Sequence, residues 1–312
     1  MLGTTAGRLY WMSRNLERGE NTARLIEAGL NIALTRSSGA LSEWASVVAT
    51  AGSTARYHEI HDDVDAEQVV NFLLREATNP ASIRSLYDSA RENARSIRTA
   101  LTREVWEATN ESWMTISDLL ANPIATTELP AALRVIKRES AYVRGAMHGT
   151  MTRNEMYDFA QLGTFVERAD NTARILDVKY YLLLPSLAHV GTRLDTMQWD
   201  TILRAVSARR AYRWSADGEI SPTGIAEFLI LDPQMPRSLL FCSRRIGERL
   251  SYLCPGDAEL ASQGIADDLT ERLADTSIEV ILDEGLHEFL RRYITDIASI
   301  SAQVEQNFRF HG

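Results

Sequence analysis

The chain has 312 residues, with 33 Lys and Arg against 42 Asp and Glu, a net charge of −9 and a pI near 5.3. This balance excludes the basic field that nucleic acid or an anionic membrane surface requires. A composition of 45% apolar and 24% charged residues excludes disordered, collagen-like and fibrous classes, and supplies enough apolar material for one large core or two smaller ones.

Glycine and proline are sparse, and the segments between them carry apolar residues at three- and four-residue steps, so the expected fold is all-α. Leu9, Met12, Leu16, Ala23, Ile26 and Leu30 predict a helix over about Thr5 to Thr35 with one buried face. Further helices are predicted at Leu41 to Arg56, Asp65 to Thr78, Pro80 to Leu120 with a break near Asn110, and Ala131 to His148. Ser37-Ser38-Gly39 and Asn122-Pro123 serve as separators. Arg153 to Leu184, halted at Pro185, then Thr196 to Tyr212, Pro222 to Leu231, Pro236 to Leu253, Ala258 to Ala274 and Ser277 to Phe308 complete the series. Asn79-Pro80, Ser221-Pro222 and Asp232-Pro233 each read as an N-cap followed by a proline in the first turn. Tyr180 to Leu184 is the most apolar run and is far too short to span a membrane.

Glu17-Arg18-Gly19-Glu20-Asn21-Thr22-Ala23-Arg24 returns as Glu167-Arg168-Ala169-Asp170-Asn171-Thr172-Ala173-Arg174, with six of eight residues identical. Asn79, Pro80, Arg84, Ser85, Leu86 and Arg91 correspond in the same order to Asp232, Pro233, Arg237, Ser238, Leu239 and Arg244, with Trp44 and Trp199 between the two matches. The expectation is an internally duplicated helical bundle whose halves, residues 1–150 and 151–312, pack about a pseudo-twofold axis around one shared core.

At about 100° per residue, Tyr10, Arg14, Glu17, Asn21 and Arg24 form a polar ridge beside the apolar stripe, repeated in part by Glu167, Asn171 and Arg174. Arg84, Arg91, Arg95 and Arg98 share a face of the next arginine-rich helix. The expectation is that the acidic ridges meet these arginine stripes, either as a buried charge-assisted layer or as a ligand site. In the second case the arginines bind a phosphate, carboxylate or acidic peptide and a glutamate acts as base. Glu20 with Arg24 and Asp170 with Arg174 are local i,i+4 pairs.

No phosphate-binding glycine loop, nucleophile elbow or H-E-x-x-H zinc motif is present. Glu284-x-x-His287 is one half of a di-iron signature without a second copy, and no metal or cofactor is expected. The acidic cluster around His58 and His61 reads as a loop or helix start, and His287 as a capping or core histidine. Trp11, Trp44, Trp106, Trp113, Trp199 and Trp214 read as core or helix-interface anchors, and Cys242 and Cys254 as packing residues. The absence of a cysteine pair at redox or zinc spacing, with no secretory pattern, points to a cytoplasmic protein.

Leu9-Tyr10-Trp11 with the Glu17 to Arg24 motif, Asn79-Pro80 through Arg95, Leu162-Gly163 with the Glu167 repeat, and Gly285-Leu286-His287 together resemble the bacterial alpha-E family over essentially the whole chain. The resemblance implies an all-α protein encoded beside circularly permuted ATP-grasp proteins and transglutaminase-like proteases, in systems that make, attach or trim a peptide-like tag. It carries the acidic motif to Glu17, Glu20, Glu167 and Asp170 as catalytic candidates. Arg14, Asn21, Arg24, Asn171, Arg174, Arg84, Arg91, Arg95, Arg237 and Arg244 are ligand-binding candidates.

The preferred expectation is an accessory partner of an ATP-grasp amide ligase that recognises an acidic or amino-acid-like group. The alternatives are a stand-alone enzyme using paired glutamates, with or without a divalent ion, and a purely structural interaction protein. A homo-oligomer is left open.

Overall fold

In the computed structural model, the structure describes residues 1–35, 40–182, 193–215, 220–254 and 260–311, and every regular element among them is helical. The order is α1 (Gly3–Thr35), α2 (Ala40–Thr50), α3 (Thr54–His58), α4 (Ala66–Leu74), α5 (Ile83–Ser96), a 3-10 turn at Arg98–Ala100, α6 (Arg103–Leu119) and α7 (Leu129–Thr150). It continues with α8 (Glu155–Leu182), α9 (Arg193–Ala205), α10 (Arg209–Ser215), α11 (Pro222–Leu231), α12 (Leu239–Leu253), α13 (Ala261–Ala274), α14 (Ile278–Glu284) and α15 (Leu286–Asn307). No helix among the described residues is long and apolar enough to cross a membrane.

The elements follow the periodicity, and the breaks follow local chemistry that periodicity does not carry. The expected Pro80 to Leu120 helix is interrupted around residues 97–102 rather than at Asn110, because the Thr102 hydroxyl accepts the Val105 N–H and opens a new helix there. Asn79 and Asp232 are not N-caps. Asn79 Oδ1 accepts from the Ala81 N–H, and Asp232 Oδ1 from the Gln234 and Met235 N–H groups, so both close turns. The caps are Ser82 and Ser238, which accept from Ser85 N–H and Phe241 N–H. Ser221 caps α11 as expected, through the Gly224 N–H, and Asp65 caps α4 through Glu67 and Gln68. The separator Ser37-Ser38-Gly39 and the stop at Pro185 lie outside the described residues.

The chain divides into two compact units. Unit 1 comprises Met1–Glu27, Val47–Glu167 and Phe308–Gly312, and unit 2 comprises Ala28–Ser46 and Arg168–Asn307. In unit 1, α4, α5, α6 and α7 pack successively, and α1 crosses α8 closely: a Cβ on Gly163 would stand 2.2 Å from the Tyr10 carbonyl oxygen. Only a residue without a side chain permits that approach. In unit 2, α12 packs on α13 and α13 on α15, flanked by α11 and α14, with α9 and α10 against each other.

The first helix departs from the one-face expectation. Leu9, Met12, Leu16, Ala23 and Ile26 are at most 4% exposed, yet Glu17, Glu20 and Asn21 are each only 1% exposed. The middle of α1 is buried around its circumference, polar ridge included. Trp214 also corrects the anchor reading, for it is 80% exposed. Its short helix turns Tyr212 inward instead, at 2% exposure, and two residues further along places Trp214 about 200° away.

Candidate functional site: buried carboxylates in arginine clamps

A carboxylate at 1% exposure is tolerated only when it is paired and hydrogen-bonded. Glu17 and Glu20 meet this requirement within unit 1 through Arg144 of α7, whose Nη1 lies 3.2 Å from Glu17 Oε2 and also contacts Glu20 Oε2. Arg24 donates from Nε and Nη2 to Glu20 Oε1 at 3.0 and 2.6 Å, as the i,i+4 spacing allows. Two carboxylates thus face two guanidiniums whose side chains are 14% and 23% exposed.

Glu167 has its own clamp. Arg18 grips it with two parallel bonds, Nε to Oε1 at 2.6 Å and Nη2 to Oε2 at 2.8 Å. Arg14 adds Nε and Nη2 to Oε2 at 3.0 and 2.9 Å. The Arg14 guanidinium also stacks over the Trp11 ring, 4.8 Å from its centroid. Burial alone would raise the Glu167 carboxyl, but the charges and hydrogen bonds of Arg18 and Arg14 outweigh it and hold the group below the ordinary carboxylate range.

Beside the first clamp runs a chain of neutral hydroxyls. Tyr87 of α5 and Ser140 of α7 stand 2.7 Å apart, Ser140 Oγ donates to the Leu16 carbonyl at 3.2 Å, and the Tyr87 hydroxyl lies 3.3 Å from the Ile136 carbonyl. Gly19 lets the tyrosine ring lie against the α1 backbone, since a Cβ there would be 3.1 Å from Tyr87 Cε2. Burial drives the Tyr87 phenol well above its ordinary value; the Ser140 bond opposes this and the Glu20 charge reinforces it.

In unit 2, Arg174 donates to both Asp170 oxygens at 2.7 and 3.1 Å, and His287 Nδ1 lies 2.5 Å from Asp177 Oδ1. Tyr293 of α15 pairs with Ser243 of α12 at 3.0 Å and with the Leu239 carbonyl at 3.3 Å. Its phenol is likewise pushed far up by burial. Asn21 is buried in the middle of α1, whereas Asn171 is half-buried on α8.

The arginine stripe of α5 does not meet the acidic ridge. Arg91 bonds Asn110 Oδ1 at 2.8 Å and stacks 4.0 Å from the Trp113 ring centroid, and Arg95 pairs with Glu92 at the surface. Arg98 is exposed and Arg84 half-buried. In α12, Arg244 is exposed, and Arg237, which precedes the Ser238 cap, is buried at 7%. The buried faces of α5 and α12 are mainly apolar, so Arg84, Arg91, Arg95 and Arg244 are displaced to their flanks.

Arg144, Arg18, Arg14 and Arg24 serve the glutamates, and neither Arg144 nor Arg18 is among the residues that the sequence singles out for binding. Arg144 follows Ser140 by four residues and flanks the buried Ile136, Ser140, Val143 and Met147 stripe of α7, which is the pattern that marks it. Arg18 stands in the glutamate-arginine dipeptide itself. Among the described residues, no three His, Cys, Asp or Glu side chains converge as a metal-binding group.

A family described as a predicted alpha-helical domain with a conserved ER motif, Alpha-E, matches residues 1–308. Glu17-Arg18 and Glu167-Arg168 are such dipeptides, and both glutamates are buried in arginine clamps. No curated protein and no solved structure matches the chain. The all-helical architecture and a match over nearly the whole length agree, and the chain belongs to the Alpha-E family.

Proposed function

We propose that this protein is a helical partner of an ATP-grasp amide-ligating enzyme, in a system that makes or trims a peptide-like product, and that it contributes recognition rather than the ligation step. The observation carrying this reading is the state of the motif glutamates. Glu17, Glu20 and Glu167 are 1–3% exposed, and their oxygens accept guanidinium N–H bonds. A general base needs basicity near neutral pH, whereas the clamp lowers that of Glu167. The acidic motif therefore serves as a structural ion network, and an ATP-grasp or transglutaminase-like partner supplies the chemistry.

We infer further that the chain is internally duplicated in a register set by its caps, which pairs Ser82 rather than Ser85 with Ser238 and so moves the second sequence match by three residues. Asp65 and Ser221, and Ser82 and Ser238, are N-caps at the same offset of 156 (221 minus 65, 238 minus 82). Tyr57 crosses Phe72 edge-on at 5.1 Å and 88°, and Tyr212 crosses Phe228 at 5.4 Å and 71°. α7 and α15 are both 22 residues long. Tyr87 with Ser140 and Ser243 with Tyr293 are the same hydroxyl bridge with the partners exchanged.

Gentle low-salt purification from the native host, followed by mass spectrometry, tests the partnership. Recovery of an ATP-grasp or transglutaminase-like protein in stoichiometric amount supports it, and recovery of the chain alone at every salt concentration overturns a stable complex. A Glu17→Gln variant that stays folded but loses a purified activity would favour the stand-alone enzyme instead.

A further inference from the structure

Unit 2 contains a cleft between α13, α14 and α15 whose chemistry the ion network leaves unused. Its floor is apolar, formed by Leu269, Leu273, Phe289 and the ring of Tyr293. The Tyr293 hydroxyl is committed to Ser243 and Leu239, so the residue offers the cleft only its ring. The volume is about 160 Å³. That is close to the roughly 150 Å³ of a cavity that holds benzene, so one side chain fits and a nucleotide does not.

The rim carries four charges of alternating sign. Arg292 pairs with Glu284 and Arg272 with Asp296, while Asp296 also lies close enough to Arg292 to act on its charge. The two arginine side chains are 51% and 55% exposed, so each can turn from its present carboxylate to an incoming one. The Asp296 side chain is only 23% exposed and faces both cations. A simple anion entering here would meet two carboxylates, and a simple cation two guanidiniums. A molecule bearing both charges beside an apolar group matches the floor and the rim together.

We propose that this cleft binds a free α-amino acid with an apolar side chain, its carboxylate taken by Arg272 and Arg292, its ammonium by Asp296, and its side chain by the floor. The proposal deepens the recognition reading by giving it a place and a ligand class, and it rests on that reading only for its biological use. Binding itself needs no partner, so failure of either idea leaves the other standing.

The test is titration calorimetry on the full chain with L-leucine as probe. Saturable binding is expected, weakened at least tenfold for N-acetyl-L-leucine, which lacks the ammonium, and for L-leucinamide, which lacks the carboxylate. Leu-Gly-Gly, whose carboxylate is moved away, is also expected to bind at least tenfold more weakly. Equal affinity for that peptide overturns the assignment to a free amino acid. Asp296→Asn and Arg292→Gln should each weaken L-leucine binding about tenfold or more while leaving the circular-dichroism melt intact, since both residues sit at the rim. No heat with L-leucine at millimolar concentration, or binding unchanged in both variants, overturns the site.

Discussion

Glu20 and Asp170 occupy the same step of two nearly identical octapeptides, yet their surroundings differ. Glu20 is 1% exposed and shared between Arg24 and Arg144. Asp170 is 15% exposed and, among the described residues, has Arg174 as its guanidinium partner. The sequence repeats the local i,i+4 pair, but the second cation on Glu20 arrives from α7, more than a hundred residues away. Short-range identity therefore fixes the helix and its internal pairs, and long-range neighbours decide whether a carboxylate is sealed in or left near water.

On this contrast, the largest cost should come from removing the long-range cation. Arg144→Met would take from the buried Glu17 and Glu20 the guanidinium they share, and should destabilise the protein by about 3–5 kcal/mol in chemical denaturation. A cost below about 1 kcal/mol would mean that the pocket readmits water and that the seal is weak.

Glu167→Gln should come next, at about 2–3 kcal/mol, because the amide keeps an acceptor but leaves Arg14 and Arg18 without their anion. The effect should depend on pH in a defined direction. The folded carboxyl sits below its ordinary value of 4.5, so its contribution is complete above that value and is lost as pH falls through the lower folded one. Stability curves of the parent and the variant should thus converge on acidification. Parallel curves down to pH 2 would show that the clamp does not hold the proton off.

The hydroxyl bridges give a smaller effect with the opposite pH sense. Tyr87→Phe should cost about 1–2 kcal/mol, as should Tyr293→Phe, since each leaves a buried serine and a carbonyl short of a partner. Both phenols are raised above 10.0, so their neutral forms stabilise the fold below pH 10 and that contribution fades as pH rises toward the folded values. Alkaline unfolding followed by tyrosinate absorbance should therefore show Tyr87 and Tyr293 among the tyrosines that titrate only as the structure opens, and one fewer such tyrosine in each variant.

The limits of the sequence reading have the same origin as these contrasts. Helix content, the i,i+4 pairs and the Ser221 cap were legible because each depends on residues within one or two turns. The break before α6 and the true caps Ser82 and Ser238 required knowing which of several nearby hydroxyls the backbone would choose. The Arg14 and Arg18 clamp on Glu167 depends on the close crossing of α1 and α8 at Gly163, and the Arg144 contact on the placement of α7, which no local periodicity encodes. The α5 arginines misled for the same reason: a shared face identifies a flank, but not what stands opposite it.

The smallest effect is the sharpest test of the comparison. Asp170→Asn removes one charge from a pair whose arginine is 37% exposed, so the expected cost is only about 0.3–0.5 kcal/mol, further reduced by salt. The matched Glu20→Gln change should cost several times more, because two guanidiniums lose part of one anion in a site with almost no solvent. If the two substitutions prove equal, the one-methylene difference and the α7 cation are energetically irrelevant, and the motif would work identically in both places. A large ratio between them instead assigns the energetic weight to the first motif and leaves the second free to diverge, which is the physical sense in which aspartate is tolerated at position 170.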